Sequence, residues 1–193
     1  MGNTSILDEL NNFEKVAIIG SRNGDINGIS VAYDLGKQLN NTIVISGLAK
    51  GIDTAAHVGC LYRRGITIAV VGSGLNHVYP KENANLQQRI IDSSGLILSE
   101  QDPKTKASPR TLIARTRLQV ALADKVYVVE CEKESGTMHA VNFALKYRKP
   151  IFALDCDWSG NRYLIDNSLA KPFKPFWKDE IRMFNQFMKK RQS

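Results

Sequence analysis

Ser46-Gly47-Leu48-Ala49-Lys50-Gly51-Ile52-Asp53-Thr54-Ala55-Ala56-His57 is the stretch on which the reading of this chain turns. Before it runs Thr42-Ile43-Val44-Ile45, a β-branched run typical of a strand buried on both faces. After it come Thr54-Ala55-Ala56, small residues that suit a helix packed closely on a sheet. Gly47 and Gly51 permit a turn whose N–H groups face outward. Such a turn, between a strand and a helix N-terminus, is where α/β proteins hold phosphate. Many strand-to-helix turns nevertheless carry glycine for geometry alone.

The same grammar repeats on either side. Val16-Ala17-Ile18-Ile19, Ile66-Thr67-Ile68-Ala69-Val70-Val71, Leu96-Ile97-Leu98, Val126-Tyr127-Val128-Val129 and Ile151-Phe152-Ala153-Leu154 read as further strands. Helical spacing fills the gaps: Ile29 to Leu39, a helix to about Arg64 with Gly65 as its closing residue, Ala84 to Asp92, a helix after Pro109, and Gly136 to about Tyr147. Residues 101–109 are polar, contain two prolines and read as a loop. Continuous apolar strands alternating with helices predict an α/β fold: an extended Rossmann-like, doubly wound, mainly parallel sheet in a single domain. Residues 1–14 read as a lead, 15–170 as the domain, and 171–193 as an apolar and basic helical tail.

Composition narrows the classes. The 193 residues are 43% hydrophobic and 23% charged, which suits one globular domain and excludes wholesale disorder. A net charge of +7 favours a polyanionic partner. Cys60, Cys131 and Cys156 are isolated and the three histidines are scattered, so no structural zinc is expected. Gly20-Ser21-Arg22-Asn23-Gly24 is not the GxGxxG turn of NAD or FAD sites, and no cofactor is expected. The thiols read as buried small hydrophobes. No apolar run approaches a bilayer span and residues 1–14 do not resemble a signal peptide, so a soluble cytoplasmic protein is expected.

The motif Ser46 to His57 resembles the central motif of the DprA/Smf family of DNA-processing proteins. Gly20-Ser21-Arg22 is similar to the family's opening strand-end motif, and Gly72-Ser73-Gly74-Leu75-Asn76-His77-Val78-Tyr79-Pro80-Lys81-Glu82-Asn83 to its third-strand loop. Weaker echoes run to Ser159-Gly160-Asn161, so the likeness covers roughly residues 15–170. It implies a homodimeric binder of single-stranded DNA that serves a RecA-type recombinase, with Arg22 and Lys81 contacting the strand. Arg115-Thr116-Arg117 departs from the family pattern, which has asparagine between the arginines. Those two arginines cannot share a helix face, so one at most reaches the site.

Open α/β sheets bind ligands beyond the carboxyl ends of their strands. The turns after the first three strands are therefore expected to converge. The candidate nucleic-acid contacts are Gly20, Ser21, Arg22, Ser46, Gly47, Lys50, Gly51, Gly72, Ser73, Gly74, Lys81, Asn83 and Arg115. Asp53 and His57 read as a capping acid and a packed histidine rather than an acid–base pair.

The competing class is a nucleotide phosphoribohydrolase, whose motif Pro-Gly-Gly-x-Gly-Thr-x-x-Glu ends in a catalytic glutamate. The corresponding place here is Glu134-Ser135-Gly136-Thr137-Met138-His139-Ala140, with alanine where the acid belongs. Alanine cannot act as a general acid or base, so no enzyme is expected. A third reading keeps the DNA site but assigns it to a mobile-element or antiviral module.

Overall fold

The computed structural model describes residues 1–175, and these build one seven-stranded sheet. In chain order the elements are α1 (Ile6–Glu9), β1 (Glu14–Ile19), α2 (Ile26–Gln38), β2 (Thr42–Ser46), α3 (Ile52–Tyr62), β3 (Thr67–Val70), α4 (Ala84–Asp92), β4 (Leu96–Leu98), α5 (Pro109–Leu122), β5 (Lys125–Val128), α6 (Thr137–Lys146), β6 (Ile151–Leu154), α7 (Ser159–Asp166) and β7 (Lys171–Phe173). The strand order is β4-β3-β2-β1-β5-β6-β7, with every adjacent pair parallel. The doubly wound reading is correct, and the sheet is wholly parallel among the described residues.

Period-two alternation sorts the strand residues between two layers. Val16, Ile18 and Val44 pack under α2 and α3 with Val31, Leu35 and Ala56. Ala17, Ile19, Ile43 and Ile45 face the other layer, with Val120 of α5, Val141 of α6 and Leu164 of α7. Both faces are apolar because both are covered, which is why these strands read as unbroken apolar runs.

Three boundaries differ from the sequence reading. Residues 1–14 belong to the sheet's packing: Gly2 bridges antiparallel to Leu96, and Ile6 is buried in the core. They cover the outer edge of β4, which would otherwise present unpaired backbone groups. Lys171–Phe173 forms the seventh strand instead of opening a helical tail, and Pro172 is tolerated because this strand lies at the edge. The amphipathic run from Ile181 to Met188 lies outside the described residues. At the end of α3 the left-handed residue is Arg64 (φ 59°), not Gly65, whose N–H bonds the Cys60 carbonyl at 2.9 Å. Gly65 follows because the Arg63 guanidinium, reaching the Gly36 and Thr42 carbonyls, leaves no room for a side chain there.

Asn161 shows how the β5–β6 half is locked. Its amide donates to the carbonyls of Val128, Val129 and Leu154, and its oxygen accepts the Cys131 N–H at 2.8 Å, all in the interior. Asn161→Ala leaves these groups unpaired and is expected to cost about 2–3 kcal/mol in urea unfolding. The exposed Asn142→Ala on α6 should stay within about 0.5 kcal/mol of the parent.

Candidate functional site

Connections from β1 run one way to β2, β3 and β4, while those from β5 run the other way to β6 and β7. The turns leaving β1 and β5 therefore diverge, and a crevice opens between them. It is a cavity of about 490 Å³. The turn Gly20–Asn23, the residues Ala49 and Asp53, Tyr79, the first half of α5 and the start of α6 form its walls.

Its floor is a buried ion pair. Arg115, 8% exposed, donates Nη1 to the Val70 carbonyl at 3.0 Å and to Gln119 Oε1 at 2.8 Å, while Nη2 lies 3.5 Å from Asp53 Oδ2. Asp53 also accepts the Ala49 N–H at 3.2 Å, so it holds an amide of the preceding turn, while α3 itself starts at Gly51 without a side-chain cap. Burial works against charge on both groups, pushing the Asp53 carboxyl up and the Arg115 guanidinium down. Their mutual attraction returns part of that cost. Gly47 must be glycine, since a Cβ would stand 1.4 Å from Arg115 Nη1. Gly51, at φ 73°, turns the chain into α3, whose first N–H reaches the Ser21 carbonyl at 3.2 Å.

The expected contact residues divide into two sets. Gly20, Ser21 and Arg22 line the crevice. Arg22 is exposed and, among the described residues, pairs with no carboxylate. Lys81 is exposed at the start of the short 3-10 turn Lys81–Asn83, and Lys50 pairs with Glu82 at 2.5 Å beside it. Neither lysine lines the cavity.

The remaining candidates serve the frame. Ser46 is buried and donates to the Ile18 carbonyl at 2.7 Å. Asn83 is buried with its amide on the Leu48 carbonyl at 2.8 Å and Thr54 Oγ1 at 2.9 Å. Gly72 lies under α5, Ser73 bonds the His77 carbonyl, and the Gly74 N–H bonds the Thr105 carbonyl at 2.8 Å. The 101–109 loop thus covers Gly72-Ser73-Gly74, and the third-strand loop reaches the crevice only through Tyr79. Arg115 reaches the crevice from below as its floor, while Arg117 points away to Glu100. His57 is fully buried on Thr67 at 2.7 Å, and burial pushes it down to about 3, so it stays neutral.

Two contributions escaped the sequence reading. The α5 N-terminus at the crevice is fixed by a capping box between Ser108 and Thr111, for which Ser108-Pro109 was the available signal. The α6 N-terminus contributes Ser135, Gly136 and Thr137, and the Thr137 hydroxyl donates to the Gly20 carbonyl at 3.0 Å.

With that geometry in place, the comparisons are specific. The model of the family described as DNA recombination-mediator protein A matches residues 2–181. The chain belongs to that family. It is similar to the DNA processing protein DprA of Streptococcus pneumoniae, 40% identical over 147 residues, which is 76% of this chain and 52% of that protein. The chain thus spans about half the length of the curated relatives it matches. The solved structure of the S. pneumoniae protein superposes with a TM-score of 0.78 at 35% identity, covering 86% of this chain and 60% of that one. That of DNA processing protein A from Helicobacter pylori, described for its single-stranded DNA binding mode, gives 0.81 at 31% identity over 89% and 79%.

Glu130 holds the family's opening turn in place. It is buried at the end of β5, where its carbonyl accepts the Ser21 N–H at 2.6 Å and its carboxylate accepts the Asp25 N–H at 3.0 Å. Burial pushes the carboxyl up from 4.5 to about 7, with the Asp25 charge adding to the rise. The folded chain therefore keeps this proton at pH values where the unfolded chain has lost it. Stability from this group falls as pH rises from about 4.5 to about 7 and is level above that. Denaturant titrations at pH 5 and pH 8 should show this loss, and Glu130→Gln should shrink the difference while retaining an acceptor for Asp25.

Proposed function

We propose that this protein is a non-enzymatic binder of single-stranded DNA acting in DNA processing or recombination. The observation that carries the reading is Arg22, a forked cation without a carboxylate partner among the described residues, standing at the rim of the switch-point crevice. A partnered arginine would have been part of the frame, as Arg115 is. An unpaired one at a strand end suits phosphate or a stacked base. Lys81, exposed beside the Lys50–Glu82 pair and outside the cavity itself, offers a second cation on the third turn. The H. pylori relative supports the same ligand class.

The phosphoribohydrolase reading lacks its acid. Ala140 lines the cavity at the place of the catalytic glutamate, and Glu134 is exposed in the turn before α6. We place the protein in the cytoplasm, as a homodimer that passes its strand to a RecA-type recombinase. No described helix is long and apolar enough to cross a membrane, which agrees with that setting.

Each phosphate contact on a single strand adds about 0.7 to the slope of log affinity against log salt. Arg22→Ala should weaken binding to mixed-sequence strands and flatten that slope by about 0.7, and Lys81→Ala should act alike. Lys171→Ala, on the far edge strand, controls for lost net charge. Anisotropy titrations across a salt series read all three. An Arg22→Ala protein that binds like the parent places the strand elsewhere.

A further inference from the structure

Two side-chain carboxyl groups are buried among the described residues. Asp53 has the Arg115 guanidinium beside it, whereas Glu130, 2% exposed, has no cation partner among the described residues. A buried carboxyl without a cation needs either donors or its own proton. The Asp25 N–H donates to it at 3.0 Å, and the Gly28 N–H lies close as well. Gly24 and Gly28 leave it room, since a Cβ would stand 2.9 Å from Glu130 Oε2 at the first and 2.1 Å from its carboxyl carbon at the second.

The other neighbour of this carboxyl is itself an acid. Asp25 caps α2, its Oδ1 accepting the Asn27 N–H at 2.7 Å and the Gly28 N–H at 3.0 Å. The Gly28 and Asn27 amides hold the Asp25 carboxyl below its usual range, with a hydrogen bond from Glu130 adding to the effect. Burial, reinforced by the Asp25 charge, pushes the Glu130 carboxyl up to about 7. The pair therefore holds a single proton, carried by Glu130 and offered to Asp25. From the other elements, Ile52 of α3 lies across Gly24, and the Cys156 thiol after β6 is pushed up by burial and adds no charge. The charges beside that thiol are Asp157 and Arg162, and Arg162 is paired with Asp155.

The shared proton sits beneath the turn that carries Arg22. Glu130 bonds that turn at both ends, through its carbonyl to the Ser21 N–H at 2.6 Å and through its carboxyl to the Asp25 N–H. Arg22 lies between the two attachments, exposed at the crevice rim. We propose that Glu130 is a positioning residue for strand binding, its proton shared with Asp25 holding the turn on which Arg22 meets a phosphate. The inference rests on the reading of that turn as a contact to single-stranded DNA. Loss of the proton sets two carboxylates against each other under the turn and brings a new negative charge toward the phosphate. Both effects loosen the strand. Coupling is reciprocal, so a bound strand in turn draws the proton onto Glu130. Affinity is full while Glu130 is protonated, falls as pH rises through about 7, and levels off once the strand-bound protein has lost the proton too.

The test follows binding of an oligothymidylate without terminal phosphates by anisotropy, from pH 5.5 to pH 8.5 at constant ionic strength. The parent's affinity should fall about fivefold across that range, the lower end of coupling between two sites. In Glu130→Gln the amide donates to Asp25 and accepts its N–H at every pH, so the fall should vanish. His77 and His139 are present in parent and variant alike, so the difference between the two belongs to Glu130. At pH 7 the parent should take up part of a proton per strand bound, read by calorimetry in two buffers of different ionisation enthalpy, and the variant should take up none. Thermal melting at each pH establishes that both are folded. A merely structural Glu130 would change affinity alike at every pH, so a folded Glu130→Gln that repeats the parent's fall overturns the proposal. A parent that binds the strand equally at all pH values overturns it as well. If Glu130→Gln does not fold, Asp25→Asn decides, because asparagine keeps the α2 cap and removes the charge that raises Glu130. The midpoint of the fall should then move to lower pH, and an unmoved midpoint overturns the proposal. Absence of strand binding at every pH overturns strand binding by this protein itself, and the inference with it.

Discussion

The Arg115 guanidinium is the point at which the crossing helix α5 is tied to the β2–β3 side of the sheet. It comes from α5, the one long crossing connection, which carries the chain from β4 at one edge back past the middle of the sheet to β5. From there it bonds the end of β3 through Val70, the start of α3 through Asp53, and its own helix through Gln119. A buried ion pair of this kind is no sure gain in stability, because desolvation offsets attraction. Its clear consequence is positional. It seats α5 over Gly47, so that the N-terminus of the helix and the turn after β2 share one cavity wall.

That arrangement separates frame from face. Ser46, Asn83, Ser73 and Gly74 hold backbone in place, each through bonds to carbonyls or amides of neighbouring turns. Arg22, Ser21, Ser135 and Gly136 face the cavity. Asn83 illustrates the cost of an open turn. The carbonyl of left-handed Leu48 is held by an amide reaching across from the next unit, which also assists the Thr54 hydroxyl at the Ala49 carbonyl. Residues of the motif thus do not all line the cavity, and the larger part of the motif shapes the turn. Glu130 belongs to neither half of the motif, yet it fixes the loop that presents Arg22.

Periodicity and turn chemistry made much of this legible. Six of the seven strands, the wholly covered sheet and five of its helices follow from apolar runs, capping residues and glycine positions, all of which are local properties of the chain. The strand β7 did not, because three residues containing a proline carry no strand signal and gain their order from pairing with β6. The lead over β4 was hidden for the same reason: its pairing partner lies more than ninety residues away.

By itself, the sequence determined the fold class, the family and the turn that carries Arg22. Each depends on residues near one another along the chain. Which members of the three turns open on the crevice was decided only by the tertiary structure. The 101–109 loop folds over the third turn, and a guanidinium from α5 closes the floor of the second, so two segments distant in sequence remove most of one motif from the surface. Burial is a property of the whole chain's packing, and no local pattern of glycine and serine distinguishes an amide offered to solvent from one already bonded within.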